Sequence, residues 1–409
     1  MRSSAKVSNR KNSSASEPAL GWTYLSRAAL ARAKAQMDQE SMGVRDEIGF
    51  LTIHQGYADR FFPGTSVLHT RARYAVFVPW LFEDLAGLTG PAATRALRER
   101  EKDIAGRLKH AGEYQVIGGR VYPNYSSQPP STVYWNALAV WGILHTRPDG
   151  RTISRAQAHR LLRGAGLATD DDGQLLVGFD PPFVPLPARP SNWRSDRLTL
   201  RLTTAEASFL RDRLAQLRRP NGNELSLLAR LVRTEAAAPT GMWANETRAI
   251  AGSDQGPLVR AQQAASLAGV GRAIYDALLE HILEVDDKRE ISRRHRDHLV
   301  SVVGERGPVA AKIDVDALEA DIGALPPKLR SVVTATRDWI ASKSTDPVSL
   351  VAVYEAAEAR KGPRARLPLT PNGRARRLEW SSDEHGVAGP LHYRWDQVST
   401  LLNDLADAE

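Results

Sequence analysis

The sequence predicts a mainly α-helical, multi-domain protein with a few short strands. Apolar residues recur at helical spacing in most segments, and helix-start signals precede several of them. Period-two alternation is confined to short runs. At 409 residues the chain exceeds one ordinary core and has room for two or three domains.

Residues 1–19 are polar and carry Arg2, Lys6, Arg10 and Lys11, so they read as a disordered basic tail. Residues 20–39 read as a short entry and then a helix with Ser26 as N-cap. Residues 44–62 place apolar side chains at mixed helical spacing and stop at Pro63-Gly64. The most apolar stretch, 65–88, predicts a buried helix with Pro79 as its kink point. Residues 94–109 predict a charged amphipathic helix. A loop with Gly118-Gly119 and Pro129-Pro130 leads to a helix over 132–145. Ser154 and Gln157, at capping-box spacing, open another over 154–163, and 174–179 read as a strand. Prolines crowd 180–190 and mark a linker at 180–195, which closes a first domain at 20–179. Leu198, Leu200 and Leu202 alternate with polar residues, so 197–202 predicts a strand. Thr203 and Glu206 open the next helix. Helices then follow at 224–237, 259–283, 292–303, 314–322, 328–342 and 347–359, giving a second domain at 196–359. A basic, proline-broken module at 360–409 ends in a strand at 390–395 and a helix at 396–405.

Residues 131–179 also fit the outline of a winged helix-turn-helix. Its second helix would set Arg155, His159 and Arg163 on the outer face, the i, i+4, i+8 stripe by which a recognition helix meets phosphates and base edges. The alternative is an αα-hairpin whose Trp residues fill a core and whose Arg residues are solvated.

The absence of Cys excludes disulfides, cysteine-zinc sites, iron–sulfur clusters and thiolate nucleophiles. The common phosphate-loop, nucleophile-elbow and zinc-protease motifs are missing, so no catalytic residue and no cofactor is expected. His295 and His298 could share a helix face, but Arg293, Arg294 and Arg296 repel a cation. A solvated basic helix is expected there, and no metal site. No apolar run reaches the roughly 18 residues that a membrane span needs, so no membrane partner and a cytoplasmic location are expected.

The formal net charge is +8, and 45 Arg stand against 10 Lys. Guanidinium groups fork onto phosphate and stack on bases, although Arg and Ala also rise together under a GC-rich coding bias. Clustering matters more than the total, because a patch focuses potential. The densest cluster, 360–377, includes Arg374, Arg376 and Arg377 and contains no acid. Arg71 and Arg73 precede the apolar run, either as phosphate contacts or as ties to buried carbonyls and carboxylates.

Two blocks, RFFPGTSVLHTRARYAVFVPW at 60–80 and PSTVYWNALAVWGIL at 130–144, together with LGWTYLS at 20–26 and LHYRW at 391–395, resemble an uncharacterised bacterial family, domain of unknown function 6361. The resemblance implies an association with bacterial defence gene neighbourhoods, beside helicase or nuclease-like genes, and carries over no catalytic residue. The resulting expectation is a non-enzymatic, nucleic-acid-associated accessory subunit of an antiphage system, with DNA preferred to RNA. Arg71, Arg73, Arg155, His159, Arg163, Arg374, Arg376 and Arg377 would contact phosphate. A protein–protein adaptor for a helicase or nuclease is the alternative, and a cryptic metal-dependent nuclease is a third. The nucleic-acid expectation requires these guanidinium groups to gather on one surface that carboxylates do not neutralise.

Overall fold

Residues 255–285 are apolar on every side, and such a helix must be covered all round. In the computed structural model, which describes residues 47–147, 149–165, 181–194, 198–220 and 222–409, they form the axis of the molecule. The α-helices are numbered α1 to α16 in chain order. The first six are α1 (Leu51–Phe61), α2 (Tyr74–Asp84), α3 (Gly90–His110), α4 (Pro130–Val133), α5 (Trp135–Val140) and α6 (Arg155–Ala165). After them come α7 (Thr204–Leu214), α8 (Leu227–Val232), α9 (Asn245–Ile250), the axial α10 (Gln255–Val285) and α11 (Arg294–Ala310). The remainder are α12 (Val315–Ile322), α13 (Pro327–Ala341), α14 (Val351–Glu358), α15 (Pro371–Leu378) and α16 (Trp395–Ala406).

Helix α10 runs about 46 Å at 1.5 Å per residue. Every residue from Ala264 to Glu280 except Arg272 is buried. Around it lie α11, α13, α12, α9 and α1. Gly271 permits one of the close approaches: a Cβ there would sit 2.5 Å from Phe50 Cζ. Helix α2 is buried from Tyr74 to Phe82, with Pro79 inside it, and forms the hub of the N-terminal helices. The buried apolar side chains from Ile48 to Leu405 make one connected cluster.

Local signals explain most helix starts. Ser154 and Gln157 bond reciprocally, Gln157 Oε1 accepting from Ser154 N at 2.8 Å. Thr203 and Glu206 form a complete capping box. Asp314 caps α12 by accepting from Ala317 N at 3.0 Å.

The strand expectations fare differently. The described residues hold isolated bridges, such as Leu144 with Phe183, but no sheet. Leu198, Leu200 and Leu202 are buried, as their alternation requires, yet the segment is an extended strap with no ladder, its Leu202 carbonyl accepting from Glu409 N. Residues 390–395 form a turn in which Tyr393 and Arg394 have positive φ, and α16 starts from it. The expected strand at 174–179 and the expected helix at 20–39 lie outside the described residues.

Residues 181–194 do not hang free between bodies. His145 N donates to Pro182 O at 2.8 Å, Val184 N to Ile143 O at 3.0 Å, and Trp80 Nε1 to Pro187 O at 3.2 Å. Trp193 packs 5.1 Å from both Phe77 and Trp80, ring centroid to centroid. No described helix is long and apolar enough to cross a membrane.

Candidate nucleic-acid interface

The eight side chains expected to meet phosphate divide into buried and exposed groups. Arg73 is 1% exposed; its Nη2 bonds Glu206 Oε1 at 2.8 Å and its Nη1 bonds Thr199 O at 2.9 Å. Arg71 Nε donates to Asp404 Oδ1 at 2.8 Å, and the same carboxylate accepts from Ala72 N at 2.7 Å. Arg377 is 1% exposed and forks onto Asp287, with Nη1 also bonding the Arg366 and Pro368 carbonyls. These three guanidinium groups tie carboxylates and carbonyls inside the protein and present nothing to a phosphate. The phosphate role is corrected for all three.

The cluster at 360–377 contains no acid in sequence, but the fold brings acids to it. Glu47 meets Lys361 and Arg366, Asp287 meets Arg374 and Arg377, and Glu379 meets Arg376 at 2.8 Å. Arg374 stays exposed with Asp287 at 3.5 Å. The cationic patch expected here is largely neutralised.

The α6 stripe turns inward at its middle. His159 is 5% exposed and stacks on Phe82 at 4.4 Å, and burial lowers its pKa. Ala158 is buried beside it and Leu161 and Leu162 pack on the core, so the 158–162 face is the inner one. A recognition helix would need His159 outside, so that role is corrected as well. Arg155 reaches Thr132 Oγ1 at 2.7 Å, and Arg163 is exposed and reaches Thr89 Oγ1 at 3.3 Å. His295 corrects the expected solvated basic helix: it is fully buried and bonds the Ser382 carbonyl at 3.0 Å through Nε2. His298 holds the Ala388 carbonyl at 3.1 Å. Among the described residues no three His, Asp or Glu side chains are set to hold a metal ion.

Of the blocks that carry the family resemblance, 20–26 lies outside the described residues, and those at 60–80, 130–144 and 391–395 converge in the interior. Tyr134 Oη accepts from Thr70 N and donates to Arg71 O at 2.8 Å. Trp141 Nε1 donates to Pro63 O, and Arg394 Nη1 donates to Thr65 O at 2.7 Å and to Asp59. His69 stacks on Tyr134 at 4.3 Å, and burial lowers its pKa to about 3. A cleft beside these residues leaves His69 Nε2, Thr70 Oγ1 and Gln397 Oε1 without partners. Its enclosed space of about 10 Å³ matches one water, far below a metabolite.

A different face does carry unneutralised cations. Helix α3 has three acids, and each is engaged. Glu99 pairs with Lys102, Asp103 pairs with Arg107, and Glu101 is buried, accepting from Tyr125 Oη at 2.7 Å and Ser131 N at 2.8 Å. Burial raises the Glu101 pKa, and those hydrogen bonds oppose the rise. Arg95 and Arg98, three apart on one exposed face, have no carboxylate partner among the described residues.

The chain then folds back along α3. Gly112, at φ +79°, closes the helix, with its N–H on Lys109 O and the Glu113 N–H on Leu108 O. Tyr114 emerges 68% exposed. Further on, Tyr122 lies against Gly106, where a Cβ would sit 2.5 Å from its ring, and Lys109 approaches the same ring at 6.0 Å. Tyr125 receives the Arg98 guanidinium at 4.6 Å. Arg155 acts electrostatically on both Tyr125 and Glu101, which places the start of α6 beside this surface. Arg98, Tyr125 and Arg155 are thus drawn together beside exposed Arg95, Arg163 meets Thr89 just before α3, and Lys109 and Tyr122 meet towards its far end. Sequence reasoning registered α3 only as a charged helix and 111–130 only as a loop. The usable signal was the basic run from Arg98 to Lys109 followed closely by Tyr114, Tyr122 and Tyr125.

A family model described as a family of unknown function (DUF6361) matches residues 19–409. No curated protein and no solved structure matches the chain.

Proposed function

The chain belongs to the DUF6361 family, and we propose that it is a nucleic-acid-binding accessory protein that acts by binding rather than catalysis. One observation carries this reading: the α3 acids are engaged, Glu101 in the interior and Glu99 and Asp103 by Lys102 and Arg107 of the same helix, while Arg95 and Arg98 stand exposed without a carboxylate partner, Arg98 beside Tyr125. Clustered cations in excess of the carboxylates that pair with them are the electrostatic footprint of a phosphate-binding surface. The binding face in this reading is the α3 face, and of the residues expected to contact phosphate it includes Arg155 and Arg163. Titrating purified protein into labelled DNA at about 50 mM salt tests the reading. The wild type binds, and Arg95→Glu with Arg98→Glu weakens binding at least about tenfold, which is about 1.4 kcal/mol. A wild type that leaves the label unshifted, or a double variant that binds as well as it does, would overturn the reading.

A further inference from the structure

The loop that leaves the C-terminal end of α3, just after exposed Lys109, carries a feature that phosphate contact does not use. Tyr114 is 68% exposed, and the Arg71 guanidinium lies 5.0 Å from its ring centroid. Arg71 is itself 7% exposed and held by Asp404 at 2.8 Å, so it supports the ring from the protein side. The neighbouring acid is occupied: Glu113 accepts the Thr199 hydroxyl and lies 3.8 Å from Arg71. One face of Tyr114 is thus backed by a fixed cation, and the outer surface is open to solvent.

A duplex keeps its base faces stacked on one another and offers this ring only its backbone. A single strand offers unstacked bases, and an aromatic ring interleaved with cations binds them by stacking while the cations follow the phosphates. A ring already immobilised loses little entropy on capturing a base. Resting on the nucleic-acid reading above, we infer that this face selects single-stranded over duplex nucleic acid, with a base stacked on Tyr114. Gly106 serves the same end, since its missing side chain lets Tyr122 lie against α3 and seats the returning loop.

Fluorescence anisotropy with labelled oligo-dT of about 30 nucleotides, and with a duplex of the same length, tests this at about 50 mM salt. The wild type binds the single strand at least about tenfold more tightly than the duplex, Tyr114→Ala abolishes that preference, and Tyr114→Phe, which keeps the ring, preserves it. Tyr114 is exposed, so the alanine variant folds. Equal affinities for the two probes, or a Tyr114→Ala loss that is the same for both, would overturn the single-strand inference. If the double α3 variant still weakens both probes, the nucleic-acid reading survives that result. Absence of binding to either probe overturns both.

Discussion

Arg73 and Arg98 are the same residue type with opposite consequences. Removing Arg73 leaves Glu206, wholly buried, without its partner at 2.8 Å. Breaking a buried pair on one side costs roughly 3–5 kcal/mol. Arg73→Ala should therefore lower the unfolding free energy by that amount, whereas exposed Arg98→Ala should stay within about 0.5 kcal/mol, both read by urea denaturation. Two buried imidazoles add a pH dependence. Burial lowers the pKa of His69 to about 3, and burial, then the charges of His392, Arg394 and Arg272, lower that of His54 to about 3. Both folded values lie below the ordinary imidazole value near 6.5, so acid protonates the unfolded chain first. Their stabilisation is complete above about pH 6.5 and falls as pH drops towards 3. At pH 5 each costs about 2 kcal/mol relative to pH 7. Thermal melts should show this decline, and His69→Phe, which retains an aromatic ring against Tyr134, should remove its share of about 2 kcal/mol from it.

At the scale of elements, the loop over α3 depends on one glycine. Alanine is favoured over glycine within a helix by about 1 kcal/mol. Gly106→Ala should nevertheless destabilise, because the new Cβ would lie 2.5 Å from the Tyr122 ring. The measurable outcomes are a lower melting temperature and faster proteolysis between residues 111 and 126. An unchanged melting temperature would mean that Tyr122 does not seat the loop. Elements of this kind were legible where the determinant is local. Ser154 with Gln157, Thr203 with Glu206, and Asp314 each mark a helix start in sequence and cap one in the structure. Helix α15 has a weaker sequence signal, because its basic, proline-broken composition masks the Thr370 cap and Pro371 at its first turn. The alternation of Leu198, Leu200 and Leu202 predicts a strand because it reports one-sided burial, and a strap on helices buries one side as well as a sheet does.

Over the whole molecule, charge clustered along the chain differs from charge clustered in space. The 360–377 run looks like a cationic patch until folding brings Glu47 and Asp287 against it, from more than eighty residues away. No local pattern encodes those pairings, so most of the expected site residues could not be sorted from sequence. The helical class was legible, since it needs only periodicity; the interface depends on which acids are consumed elsewhere. Arg374→Ala with Arg376→Ala should accordingly leave nucleic-acid affinity unchanged in the same anisotropy assay.

The central claim is that binding runs through the α3 face, and its salt dependence tests that most directly. Affinity for a labelled single strand should fall linearly on a log–log plot against salt, with about 0.7 of slope for each phosphate neutralised. Arg95→Ala with Arg98→Ala should flatten that slope by about 1.4, while Arg374→Ala with Arg376→Ala should leave it unchanged. A slope that is indifferent to the α3 pair, or that responds to the C-terminal pair instead, would contradict the account.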